Sequence, residues 1–159
     1  MTPTRRTAVA AVALAAVGAG TALALAPAAG ADEDLRLTTT ATASTDLDLG
    51  VPGPGPGDTQ VFLDEVRRDG RLVGGMTGSC TVALSTEERL VAACTATLLF
   101  DDGSSIATQG AGDEDPQVGP TEFRWAVTGG TGRYAGAEGE FVGTFVPGTD
   151  TVEVVVRLR

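Results

Sequence analysis

The chain has 159 residues with formal net charge −10 and a sequence pI near 4.3; all of its cations are arginine, and Lys, His and Asn are absent. Without His or Lys there is no Ser-His-Asp triad, no Cys-His dyad, no His-ligated metal, no Schiff base and no Walker A lysine. The acidic balance also excludes phosphate-backbone binding, which needs clustered cations, so no nucleic-acid partner is expected.

Residues 1–31 read as a secretory leader. Arg5 and Arg6 precede an uncharged run from Thr7 to Leu25, and Ala29-Gly30-Ala31 is a small-x-small cleavage site followed by the acidic Asp32-Glu33-Asp34. A retained membrane span is the competing reading, at the lower limit of length. Cleavage near Ala31-Asp32 would leave one extracellular domain, 32–159, with no membrane contact. Export by the general or the twin-arginine route is left open. Within the domain, 32–58 holds a first strand and a Pro/Gly-rich linker, and 59–159 the remainder.

The exported part reads as all-β, because no stretch shows sustained helical spacing and Gly or Pro recurs every ten or so residues. Leu35 to Ala43 is a Thr-rich first strand. Asp48 to Asp58, with alternating Pro and Gly, is a loop. Thr59 to Arg68 and Arg71 to Ser85 follow as strands about an Asp69-Gly70 turn. Gly74, Gly75 and Gly78 suggest a bend or bulge in the third strand. Leu90 to Phe100 is the fourth strand, Asp101-Asp102-Gly103 a turn, and Ser104 to Gln109 the fifth strand. Gly110 to Pro120 reads as an acidic loop whose Asp113-Glu114-Asp115 is solvated, with a calcium site as the minor alternative. Thr121 to Thr128, Glu140 to Val146 and Thr151 to Arg159 complete eight strands. That number fits a small antiparallel barrel whose interior holds one small ligand.

Period-two alternation assigns faces. Val152, Val154, Val156 and Leu158 share one side of the last strand. Phe123, Trp125 and Val127 oppose Glu122 and Arg124, so Arg124 is expected outside. Gln60, Phe62, Asp64 and Val66 share a face. Cys80 and Cys94 are symmetric about Glu87, as are Val82 and Ala92, and Leu84 and Leu90. One register about a Thr86-Glu87-Glu88 turn therefore sets the cysteines opposite each other, with all four apolar residues on their face, and predicts a cross-strand disulfide. The alternative is a reactive thiol, although no Lys or His is present to lower its pKa.

Val127-Thr128-Gly129-Gly130-Thr131-Gly132-Arg133-Tyr134-Ala135-Gly136-Ala137-Glu138-Gly139 resembles the GGTG-aromatic-x-G-A-x-G signature of dirigent proteins and allene oxide cyclases. Gly78-Ser79-Cys80, and Phe100-Asp101-Asp102-Gly103 through Gln109-Gly110, resemble further segments of the cyclases. The resemblance extends from about Asp58 to Arg159 and is nearest to secreted bacterial barrel-like members. It implies an eight-stranded antiparallel barrel of the allene oxide cyclase/dirigent or calycin type, with an apolar central pocket and a possible homotrimer. It implies pocket positions for Phe62, for Asp64 and for Cys80. The first-strand Glu of the plant cyclases has no counterpart in Thr38 to Thr42, and their Tyr after Gln-Gly is replaced by Ala111-Gly112. Both departures argue against allene oxide cyclisation itself.

The expected pocket is lined by Gln60, Phe62, Phe100, Phe123, Trp125 and Phe141, the aromatics serving core and pocket together. Asp64 is the candidate for chemistry. A carboxylate between Phe62 and Val66 is costly to bury unless paired, hydrated or functional, and burial raises its pKa. Tyr134 is the minor catalytic candidate and reads first as packing over a barrel end; the GGTG glycines read as structural. No metal or cofactor is expected. The first function expected is binding of a small hydrophobic molecule. An isomerase, cyclase or dirigent-like steering of ring closure or coupling is the alternative, and a non-catalytic envelope protein the third.

Overall fold

The computed structural model describes residues 34–159, and the leader and its cleavage site lie outside them. Eight strands follow one another round a closed antiparallel barrel: β1 (Leu35–Leu47), β2 (Thr59–Arg68), β3 (Arg71–Ser85), β4 (Leu90–Phe100), β5 (Ser105–Glu114), β6 (Glu122–Thr131), β7 (Gly139–Phe145) and β8 (Thr151–Leu158). β8 returns to pair with β1 from Leu35↔Val156 to Thr40↔Thr151, which closes the ring and removes both sheet edges. A short 3-10 turn, Gly132–Tyr134, links β6 to β7.

The alternation read from sequence holds where the strands are regular. Trp125, Val127, Val154 and Val156 are buried, whereas Arg124, Glu153 and Arg157 face out. Three differences from expectation come from bulges and strand length. β1 runs on to Leu47 instead of ending at Ala43, with a bulge between Ala41 and Ala43 that shifts its pairing to β2. Ala41 and Thr39 line the interior before the bulge, and Ser44 and Asp46 after it, so the inward positions change from odd to even. β5 runs on to Glu114, so the stretch read as a solvated acidic loop is strand as far as Glu114. Among the described residues no cluster of three carboxylate, His or Cys side chains fits a metal ion, and Asp113 is paired with Arg89 at 2.6 and 2.7 Å.

The third difference is at the β3–β4 hairpin. Cys80↔Cys94 and Val82↔Ala92 are paired as expected, but a bulge between Val82 and Leu84 puts Leu84 opposite Val91 instead of Leu90. One extra residue turns Leu84 to the outside, where it is exposed. The turn takes four residues, with Thr86 N–H donating to the Arg89 carbonyl at 2.9 Å. The hairpin still joins the cysteines: Cys80 and Cys94 form a disulfide with Cα atoms 4.1 Å apart.

The two ends of the barrel are unlike. At one end Leu35, Leu37, Val66, Leu98, Phe100, Ile106, Val127, Val154 and Val156 fill the interior as a solid core. Tyr134 closes this end, its ring 5.1 Å from that of Phe100 and its other neighbour Arg133 stacked over both rings. The GGTG segment permits this cap. Side chains at Gly130 and Gly132 would collide with Tyr134 and Ser104, and Gly132 has φ +61°. At the other end the interior is hollow.

Candidate functional site

The hollow half encloses a cavity of about 790 Å³ that opens between the loops at 48–58, 115–120 and 146–150. This is within the range of small-molecule sites. The Pro/Gly-rich stretch is part of its rim. Asp58 gathers that loop by accepting from Leu49 N–H at 2.8 Å and Gly55 N–H at 2.7 Å, and Gly57 N–H ties it to the Val82 carbonyl at 2.8 Å. Gly53 and Pro54 thereby reach the cavity.

Phe62, Phe123, Trp125 and Phe145 supply the aromatic wall. The Phe123 ring is 4.4 Å from Trp125 and 5.7 Å from Phe145. Three of these rings rest on glycine. A Cβ at Gly78 would come 2.6 Å from Phe62 Cζ, and one at Gly110 or Gly143 would overlap the ring of Trp125 or Phe123. Gly78 is the direct register partner of Phe62, and Gly143 that of Phe123. Each ring therefore reaches over the neighbouring strand into space that a side chain there would fill. The glycine of Gln109-Gly110 and that of Gly78-Ser79-Cys80 owe their place to this seating. Cys80 and Cys94 bring the disulfide into the same wall.

Asp64 lies at the floor, where cavity gives way to core. It is 9% exposed, between Ala41 on β1 and Met76 on β3 in register. Burial pushes its carboxyl above the ordinary carboxylate range, partly opposed by the nearby Thr39 hydroxyl. Thr39 Oγ1 is buried on the cavity lining without a formed hydrogen bond, and the buried Trp125 Nε1 likewise has no partner. Buried polar groups are ordinarily satisfied; the Thr39 hydroxyl faces the Asp64 carboxyl, which leaves the Trp125 N–H as the unmet donor of the lining. Gln60 sits higher on the same face, its amide donating to Asp46 Oδ1 at 3.1 Å.

Gln60, Phe62, Asp64, Phe123 and Trp125 line this one cavity, and Arg124 is outside, paired with Glu122 at 2.8 Å. Phe100, Phe141 and Tyr134 do not line it. Phe100 and Tyr134 pack together at the filled end, and Phe141 is fully buried behind Trp125, its register partner, with ring centres 5.9 Å apart. The alternation assigns a residue to the inside but not to a level along the axis. Sequence reasoning missed Glu114, which lines the cavity with its carboxyl pushed up by burial. A Cβ at Gly112 would lie 3.1 Å from Glu114 Oε1, so the side chain folds back along the inner face of β5. The pattern Ile106, Thr108, Gly110, Gly112, Glu114 carried the signal, had the strand been continued past Gln109. Asp46 was missed for the corresponding reason on β1.

The fold and site together define a closed eight-stranded barrel with a filled base and a single-mouthed internal cavity. Residues 37–158 match the family model of the allene oxide cyclase barrel like domain, and the chain belongs to that family. Among solved structures it is similar to a pyocyanin demethylase, at 27% identity over 80% of this chain and 100% of that one, with TM-score 0.70. A pterocarpan synthase dirigent protein shares the fold at 21% identity, 78% and 84% coverage and TM-score 0.59. The Diels-Alderase AbmU of Streptomyces koyangensis shares it at 22% identity, 79% and 64% coverage and TM-score 0.61. No curated protein matches the chain.

Proposed function

We propose that this protein binds one small, largely apolar, ring-containing molecule in its cavity, and that it does so outside the cytoplasm. The observation that carries the reading is the aromatic wall of Phe62, Phe123 and Trp125, seated against three glycines and lining a space of about 790 Å³. Such a wall suits a ring-containing guest by aromatic contact and by apolar burial. The structural relatives act on small organic molecules by their names, which supports the same use of the barrel. The leader-like N-terminus and the disulfide support the compartment. Mass spectrometry of small molecules released from the purified protein tests the reading. A stoichiometric ring-containing compound supports it. An empty protein that takes up no aromatic probe by calorimetry overturns it.

A second reading, an isomerase or cyclase, is favoured by Asp64 specifically. A carboxyl at the floor with its proton held more tightly than usual can protonate or deprotonate a guest pressed against it, while the walls hold a reactive conformer. In this reading the aromatic seats choose the conformer and Asp64 moves the proton. Conversion of the co-purified compound by the wild type but not by Asp64→Asn would separate the two readings.

A further inference from the structure

The charge of the cavity is one-sided. Asp46, Asp48, Asp58, Asp64, Glu114 and Asp150 line it, and among the described residues no arginine does. The arginines lie elsewhere. Arg36, Arg67, Arg68, Arg71, Arg133, Arg157 and Arg159 belong to strand ends and turns of the filled half. Arg89 is held by Asp113, and Arg124 by Glu122 and Glu140 on the outer surface. The barrel is therefore polarised along its axis, acidic at the mouth and arginine-rich at the base.

Structural duties account for part of the acidic lining. Asp58 and Asp48 accept backbone N–H groups of the rim loop, and Asp46 accepts the Gln60 amide. Asp64 and Glu114 have no such duty. Asp64 is more than nine-tenths buried and Glu114 half-buried, and among the described residues no charged group acts on either carboxyl. The buried hydroxyl of Thr39, beside Asp64, lies on the same floor. No three of these carboxylates are grouped to hold a metal ion among the described residues. The charge is spread over a cavity the size of an organic guest. A cleft lined by one sign of charge between low-dielectric walls focuses its field on whatever occupies it, and aromatic faces add to the attraction of a cation.

We propose that the guest of this cavity is a planar ring system carrying a formal positive charge, a quaternised or protonated nitrogen heterocycle, stacked on Phe123 and Trp125 between Asp64 and Glu114. The inference rests on the ring-binding reading above and adds the charge. Such a guest supplies the counter-charge that Asp64 and Glu114 lack. A neutral guest would leave both carboxylates desolvated and unpaired, and an anion would be repelled.

Calorimetry with three probes on one ring frame tests it: N-methylacridinium, acridine held neutral at pH 8, and acridine-9-carboxylate. The expected order is cation, neutral, anion, with the cation at least tenfold tighter than the neutral ring. Cation affinity should fall with added salt while that of acridine does not. Glu114→Gln and Asp64→Asn should each weaken the cation several-fold more than they weaken acridine. Glu153→Gln, on the outer face, should change neither probe, which excludes attraction to the acidic surface in general. Unchanged near-ultraviolet circular dichroism identifies variants that keep the fold, and the salt response of the wild type needs no variant. Equal affinity for cation and neutral ring overturns the charge assignment and leaves the ring-binding reading standing. Failure of all three probes to bind overturns both.

Discussion

The indole of Trp125 lies across Gly110, on the adjacent strand, in the space a side chain there would occupy. Gly110→Ala is therefore a small change with a large local effect. The methyl group must move the ring or be moved, and overpacking of this kind costs about 1–3 kcal/mol. Trp125 is the sole tryptophan. The variant is expected to shift its fluorescence and near-ultraviolet dichroism while lowering the urea midpoint. A Gly110→Ala protein with native tryptophan spectra and stability would show that the glycine is not the seat of the ring.

Asp64 predicts an inverted pH dependence. Its carboxyl holds a proton more tightly in the fold than in the unfolded chain, whose aspartate titrates near 3.9. Between the two values the native state carries the extra proton, so this group's contribution falls as pH rises and stays low above the folded value. Asp64→Asn removes the titration. The variant should melt above the wild type at neutral pH, and the difference should narrow as pH is lowered towards 3. A variant that melts below the wild type at neutral pH, with a deficit that shrinks on acidification, would mean that Asp64 is stabilised as the anion.

The Cys80–Cys94 bond closes a loop with a sequence separation of 14, for which chain entropy gives about 3 kcal/mol. Cys80→Ser with Cys94→Ser should lower the melting temperature by roughly 10 °C, at a few degrees per kcal/mol. The pair lines the hollow half, where no opposing side chains fill the interior, so hydrogen exchange should speed first in β3 and β4 beside the cavity. Uniform acceleration around the whole barrel would contradict a local role.

Tyr134 separates packing from chemistry. It caps the filled end beside Phe100, away from the cavity. Tyr134→Ala should cost about 3–5 kcal/mol, the ordinary cost of removing a buried aromatic. Tyr134→Phe should keep nearly all of that stability and leave probe binding unchanged. Loss of binding in the Phe variant would give the hydroxyl a part in the site.

The strands, their order and the cysteine pairing were legible because alternation, Gly-Pro punctuation and symmetry about Glu87 are local signals. What escaped was set by contacts between strands. The bulges near Thr42 and Ala83 invert the facing of everything beyond them, and no residue type announces either one. Asp46 and Leu84 were misjudged for that reason. Glu114 was missed because its stretch, Ala111-Gly112-Asp113-Glu114-Asp115, has the composition of a loop and becomes strand only by pairing with β4. Phe100 and Phe141 were rightly placed inside, but Phe141 is covered by its register partner Trp125 and Phe100 sits at the wrong height. Height follows from the stagger of the closed barrel, which no single strand encodes.

That stagger also divides the labour along each strand. On β2, Gln60, Phe62 and Asp64 meet the cavity while Val66 is buried in the core, and on β6 Phe123 and Trp125 give way to Val127 in the same manner. The filled core lies below the level of Asp64 and the cavity proposed for recognition above it. Ancestral sequences could therefore exchange residues in the upper half, one at a time, for a guest of another shape or charge, without passing through an unfolded intermediate. A lineage of such barrels could remodel its cavity while inheriting its base.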